Sequence, residues 1–188
     1  MSVPGIAPRI LVAGIGNIFM GDDAFGVEVV RRLWCRELPE YVRVVDYGIR
    51  GLDLAYALLD DYDAAILVDA AGQGEEPGTL YVLEPEIGDA SAQGGEVLVE
   101  AHGMNPMRVL QTVTAMGGRP RRVLVVGCEP ATLGDEFEGT MGLSAPVEAA
   151  VGGAIAIIES LIAKVTKEHE ASRMLPDSEK EGISHGTA

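Results

Sequence analysis

Apolar residues fall along most of this chain into short β-branched runs separated by stretches of helical spacing. Arg9 to Gly14 is such a run ending in glycine, and Phe25, Val29 and Leu33 follow at the repeat of one helix face. Strand, loop, helix is the expectation. The pattern returns: Val42 to Val45 predicts a strand ending at Asp46, Leu52 to Leu59 a helix, and Ala64 to Val68 a strand ending at Asp69. Strands alternating with helices imply right-handed crossovers and a parallel sheet.

Further along, Thr79 to Leu83 is a strand candidate behind the turn signal Pro77-Gly78, and Arg122 to Val126 reads as a buried strand. Asp89 to Gly95 is a loop of small residues, and Glu96 to Glu100 fits no single period. Asn105-Pro106 predicts a helix start, with Asn as cap and Pro at the first helical position, and Gly117-Gly118 ends that helix. The last helix begins near Ser144 and carries Val147, Val151, Ala154, Ile158, Ile162 and Val165 on one face. The expected fold is one α/β domain over residues 1–165, a three-layer α/β/α sandwich around a mostly parallel twisted sheet of about five strands, followed by a polar, disordered tail over 166–188.

Composition narrows the classes. With 188 residues and 47% hydrophobic content the chain can bury one sizeable core. The formal charge of -15, from 14 Lys plus Arg against 29 Asp plus Glu, repels a phosphate backbone, so no nucleic-acid partner is expected. Met1 to Pro8 lacks a charged segment leading into an apolar core, and Glu148 and Glu159 interrupt the last helix, which predicts a cytoplasmic protein without membrane contact. Cys35 and Cys128 are too few for a disulfide framework or a cysteine-based zinc site and are expected to be reduced, buried and chemically idle.

Candidate chemistry gathers at one rim. Ligands of open parallel sheets bind beyond the carboxyl ends of the strands, and the Asp22-Asp23 pair, Asp46 and Asp69 all fall there. A single Asp after a strand is usually a cap or turn residue; three successive strands ending this way suggest a cation or proton-transfer site. His169 and His185 lie in the polar tail, which leaves His102 as the one histidine of the body, three residues before the Asn105 helix start. A helix N-terminus favours neutral imidazole, the form that ligates metal, although position alone also suits a structural histidine. Imidazole with carboxylates fits borderline divalent metals such as nickel or zinc, and ligands scattered over three loops leave coordination positions open.

Common signatures are missing: there is no H-E-x-x-H helix, no G-x-S-x-G elbow and no phosphate loop of the G-x-x-x-x-G-K-[ST] type. A dinucleotide site after Gly14-Ile15-Gly16 fails because Phe19 stands where the third glycine belongs.

The run Gly14-Ile15-Gly16-Asn17-Ile18-Phe19-Met20-Gly21-Asp22-Asp23-Ala24-Phe25-Gly26 resembles the opening signature of the hydrogenase maturation endopeptidases. The likeness continues through Asp46-Tyr47-Gly48, Leu67-Val68-Asp69-Ala70, His102-Gly103-Met104, Gly127-Cys128-Glu129-Pro130 and Gly142-Leu143-Ser144. It implies an endopeptidase that removes the C-terminal extension of a nickel-iron hydrogenase large-subunit precursor after nickel insertion. In that reading nickel is carried by the substrate and serves as the recognition element, Asp23, Asp69 and His102 form the metal-binding set, and Asp23 and Asp69 are the candidate general bases. A non-catalytic nickel-binding assembly chaperone for a hydrogenase, using the same ligands, is the alternative. Asp23 occupies a place where the family uses Asp or Glu, and one departure stands out: many relatives have Thr at Ile49 and lack Arg50, which leaves the identity of the precursor open.

Overall fold

The computed structural model describes residues 7–85, 105–134 and 139–174. Five strands, β1 (Ile10–Ile15), β2 (Val42–Gly48), β3 (Ala64–Ala70), β4 (Leu80–Leu83) and β5 (Val123–Cys128), form one sheet in the order β2-β1-β3-β5-β4. All pairings are parallel except that of β4 with β5. The helices are α1 (Phe25–Leu33), α2 (Gly51–Ala57), α3 (Pro106–Ala115) and α4 (Ala145–Met174).

Why the central strands read as unbroken apolar runs is now clear. Side chains of a strand alternate between faces, and both faces here are covered. Ile10, Val12, Ile66, Val68, Leu124 and Val126 pack with α1 and α4, whereas Leu11, Ala13, Ala65, Leu67, Val123 and Val125 pack with α2 and α3. The three-layer α/β/α arrangement follows. Asn105 caps α3 as expected, its side chain accepting from the Met107 N–H at 2.8 Å.

Helix α1 lies unusually close to the sheet, and glycine permits it. A Cβ at Gly26 would run into the carbonyl oxygens of Val68 and Ile15, and one at Gly14 would strike the carbonyl oxygen of Gly26. The close approach that a dinucleotide-binding fold obtains from its third glycine is here obtained from Gly26, a position further along.

Two sequence expectations, the end of the last helix and the burial of Cys35, need correction. Helix α4 continues to Met174, nine residues past the expected boundary at 165, because its last turns have partners on the body. Tyr41 Oη and Thr166 Oγ1 share a hydrogen bond of 3.2 Å, and Arg122, bidentate to Glu84 at 2.7 and 3.1 Å, also donates to Glu168 at 2.5 Å. The helical segment Ala145–Arg173 has the length and composition of a membrane span, yet Val147, Val151, Ala154 and Ile158 on it are fully buried in the core. Finally, Cys35 is exposed just after α1; Cys128 alone is buried, and burial first, then the charges on Asp22 and Glu129, push its thiol up to about 11.

Ending the chain at Val165 is expected to lower unfolding free energy by about 1 kcal/mol, since it removes one shared hydroxyl bond, the partly exposed pairs of Glu168 with Arg122 and Lys164, and the contact of His169 with Asp63. Denaturant melts of the two lengths check this, and identical midpoints would return residues 166–174 to the tail.

Candidate functional site

Strand order reverses direction between β1 and β3: α1 carries the chain from β1 outward to β2, and α2 brings it back over the opposite face to β3. Such a switch point opens a crevice beyond the carboxyl ends of the two strands. Asp23 follows β1 and Asp69 lies near the end of β3, so the topology brings these two carboxylates to the same crevice.

Asp23 sits in a 3-10 turn, Gly21–Ala24, that leads into α1. Its Oδ2 accepts the Asn17 N–H at 2.6 Å, while Asn17 Oδ1 accepts the Phe19 N–H at 3.0 Å and rounds the loop. Gly16 is required for this closure: its φ is +129°, and a Cβ there would overlap the carbonyl oxygen of Asp23. Burial raises the Asp23 pKa, and the Asn17 N–H opposes the rise by stabilising the anion.

Asp69 is nine-tenths buried, and its Oδ1 has no hydrogen-bond partner among the described residues. Burial holds its carboxyl well above the usual range, and the charge on Asp23 pushes it further. An unpaired buried carboxyl oxygen costs free energy unless something arrives to meet it. By strand alternation Asp69 shares the sheet face of Ala65 and Leu67, the face covered by α2 and α3. His102 lies outside the described residues, three positions before the α3 cap.

Tyr81 is a neighbour that pattern reading missed. Register aligns Asp69 with Gly127 and Gly127 with Tyr81, and a Cβ on Gly127 would collide with the Tyr81 ring. The bare glycine therefore lets the ring lie across β5 toward Asp69, with its hydroxyl donating to the Ala71 carbonyl. Burial, followed by the Asp69 charge, raises the Tyr81 pKa, so the phenol stays protonated as a wall of the crevice. Glu129, also buried, accepts from the Gln73 and Gly74 N–H groups at 2.6 and 3.3 Å and holds the loop after β3.

Two acidic positions leave the set. Asp46 faces Arg31 at 3.7 Å on the outer strand β2. Asp22 is fully buried and points inward: Oδ2 accepts from Ala131 N (2.8 Å), Thr132 N (3.1 Å) and Ser144 Oγ (2.9 Å), and Oδ1 from Ser144 N (2.6 Å). Arg50 turns back onto its own loop, donating to the Asp46 and Tyr47 carbonyls, while Ile49 beside it is 68% exposed. Exposed Phe19 and Met141 lie in segments joined by the Thr140 N–H, which donates to the Phe19 carbonyl at 2.8 Å.

What remains is a crevice with two carboxyl groups, one partly exposed and one buried, that can bind a cation presented from outside or exchange a proton. Among the described residues no three His, Cys, Asp or Glu side chains converge as a complete metal site. A depression of about 440 Å³ lies elsewhere, between the segment that follows α1 and the second half of α4, around Pro39, Tyr41 and Ile162.

Comparison with known proteins bears on the family and the fold. Residues 27–161 match the family described as hydrogenase maturation protease (HycI), a span that includes Asp69 and His102 and starts just after Asp23. The chain is 35% identical over 178 residues to the hydrogenase expression/formation protein HupD of Rhizobium leguminosarum bv. viciae, covering 92% of this chain and 85% of that protein. It is 33% identical over 149 residues to the hydrogenase 2 maturation protease of Escherichia coli (strain K12), covering 78% and 86% respectively. Among solved structures, the hydrogenase maturating endopeptidase HybD from E. coli superposes with a TM-score of 0.66 at 30% identity, over 83% of this chain and 93% of that one.

Proposed function

This chain belongs to the hydrogenase maturation protease family, and we propose that it removes the C-terminal extension of a nickel-iron hydrogenase large-subunit precursor after nickel has been installed, with Asp23, Asp69 and His102 reading the nickel. The observation that carries this reading is the buried Asp69 carboxyl, whose Oδ1 meets no described partner, at the switch point that Asp23 shares. A structural carboxylate would be paired, as Asp22 is; a carboxyl left open suits a ligand that arrives with the substrate.

Nickel still held by the precursor's own ligands takes up the open oxygen, so that precursor and protease together complete its coordination. Docking then brings the scissile bond to the crevice, so that correct metal loading and correct placement of the peptide become one event. Asp23, partly exposed and held in place by the Asn17 N–H, accepts the proton of a water as its oxygen adds to the carbonyl carbon. The proton passes to the departing amine as the C–N bond breaks. Asp69 supplies the second carboxyl, as ligand and as alternative base. A cytoplasmic site of action belongs to the same reading.

Family membership favours cleavage over the non-catalytic chaperone, and one experiment separates recognition of nickel from recognition of the peptide. Wild type is expected to cut the nickel-loaded precursor and leave the nickel-free form intact, read by mass spectrometry. His102→Ala is expected to weaken binding of the loaded form by at least about tenfold and to leave binding of the nickel-free form unchanged. Equal cleavage of both forms, or equal affinity losses, would remove nickel from the mechanism.

A further inference from the structure

We propose that Asp22 is the positioning residue of this site: its buried carboxylate latches the segments 131–134 and 139–144 onto the signature loop and thereby aims Asp23. The proposal rests on the reading above only for its kinetic arm.

The 3-10 turn Gly21–Ala24 that carries both acids is four residues long, too short to hold its shape by its own hydrogen bonds. Ties from outside must set it. At three residues per turn, consecutive side chains diverge by about 120°, so fixing Asp22 inward fixes the direction in which Asp23 leaves the backbone. The inward side is built for an anion. Every group that meets the Asp22 carboxylate is a donor: the N–H groups of Ala131, Thr132 and Ser144, and the Ser144 hydroxyl. Ser144 immediately precedes the 30-residue helix α4, whose N-terminal end adds a favourable partial positive charge.

The seam continues on both sides of Asp22. Gly21 N donates to the Thr140 carbonyl at 2.6 Å, Asp22 N to the Thr132 carbonyl at 3.2 Å, and Gly134 packs its backbone against Met20 so closely that a Cβ would lie 3.0 Å from it. Among the described residues Asp22 is the one side chain of this seam that binds both segments at once. Its neighbour's aim is reported by a separate bond, from Asn17 N to Asp23 Oδ2 at 2.6 Å. Loss of the latch frees the turn, and Asp23 loses that bond.

Asp22→Asn tests this with little change in volume. An amide can present one oxygen, but its NH2 must then face an N–H or O–H donor, so the substitution does not restore the latch. The expected result is a folded protein whose kcat on nickel-loaded precursor falls about 100-fold with KM within about threefold, the loss typical of a group misplaced by about 1 Å. Hydrogen exchange at the Asn17 amide should quicken at least about tenfold while the amides of β3 stay protected. Ser144→Ala, which removes one donor and leaves the others, should lower kcat about threefold alone and not at all in the Asp22→Asn background.

A folded Asp22→Asn protein with wild-type Asn17 exchange overturns the proposal, whether or not its activity falls. Should Asp22→Asn fail to fold, wild-type exchange and kcat in Ser144→Ala do the same. If the wild-type protein does not process the precursor at all, the functional reading fails, and the Asn17 exchange comparison still decides the role of Asp22.

Discussion

Asp69→Asn is expected to abolish processing while leaving the fold as stable as wild type, or more stable, at neutral pH. The change keeps the shape of the side chain and removes the charge. For activity the loss should reach about 1,000-fold, within the range of about 100- to 10,000-fold for a group that serves proton transfer. For stability the sign is opposite to that of most buried substitutions. Burial, reinforced by the charge on Asp23, holds the Asp69 pKa well above its unfolded value of 3.8. Between the two values the folded protein retains a proton that the unfolded chain has lost. The contribution of Asp69 to stability is therefore fully present below the unfolded pKa and declines as pH rises toward the folded one. Asn cannot ionise, so the mutant escapes this decline.

Thermal midpoints of both proteins between about pH 4 and pH 8 give the difference directly, because groups common to the two cancel. The gap should move in favour of Asp69→Asn as pH rises. A gap that moves the other way would show that the folded state stabilises the ionised carboxylate, and active Asp69→Asn protein would remove this residue from the site.

Gly26→Ala carries the largest expected cost to stability. The added Cβ would overlap the carbonyl oxygens of Val68 and Ile15 and lie 2.8 Å from the Ile15 nitrogen. These are backbone atoms of β1 and β3, and no rotamer change relieves the contact. Helix α1 has to lift away from the sheet, loosening Phe25, Val27, Val29 and Val30, all 0 to 1% exposed. A loss of about 3 kcal/mol, at the upper end for overpacking, is expected in denaturant melts. Processing should fail as well, since the turn bearing Asp23 runs directly into α1. Gly152→Ala is the control. Gly152 is exposed within α4 with open space around its Cα, so Ala should gain up to about 1 kcal/mol from helix propensity. Equal midpoints for Gly26→Ala and wild type would mean that α1 does not need its close seat.

Much of the candidate site was legible in the sequence because strand ends are marked by composition. Two apolar β-branched runs stop at Asp46 and Asp69, the first leads through glycines into the loop with Asp22-Asp23, and a parallel sheet places all three at one rim, so Asp23 and Asp69 could be picked out as candidates from spacing and resemblance together. His102 stands in the set on sequence alone, as its position lies outside the described residues. Nothing local distinguishes Asp22 from Asp23. They are adjacent, identical in type and equally suited to a helix start, and their division of labour depends on donors more than a hundred residues further along the chain.

Periodicity and punctuation were sufficient for the order of elements, the parallel sheet buried on both faces, the cap at Asn105 and the rim where acidic residues collect, because each element is encoded in the pattern of a few neighbouring residues and alternating strands and helices admit few arrangements. Contacts between distant segments settled the rest. Asp46 pairs with Arg31 across β2, Tyr81 reaches Asp69 through an antiparallel register over a bare glycine, and α4 extends to Met174 because Tyr41 and Arg122 meet its last turns. Those outcomes depend on which surfaces the folded chain brings together, and a carboxylate is paired with donors, as Asp22 is, paired with a cation, as Asp46 is, or left with an oxygen unpaired among the described residues, as Asp69 is.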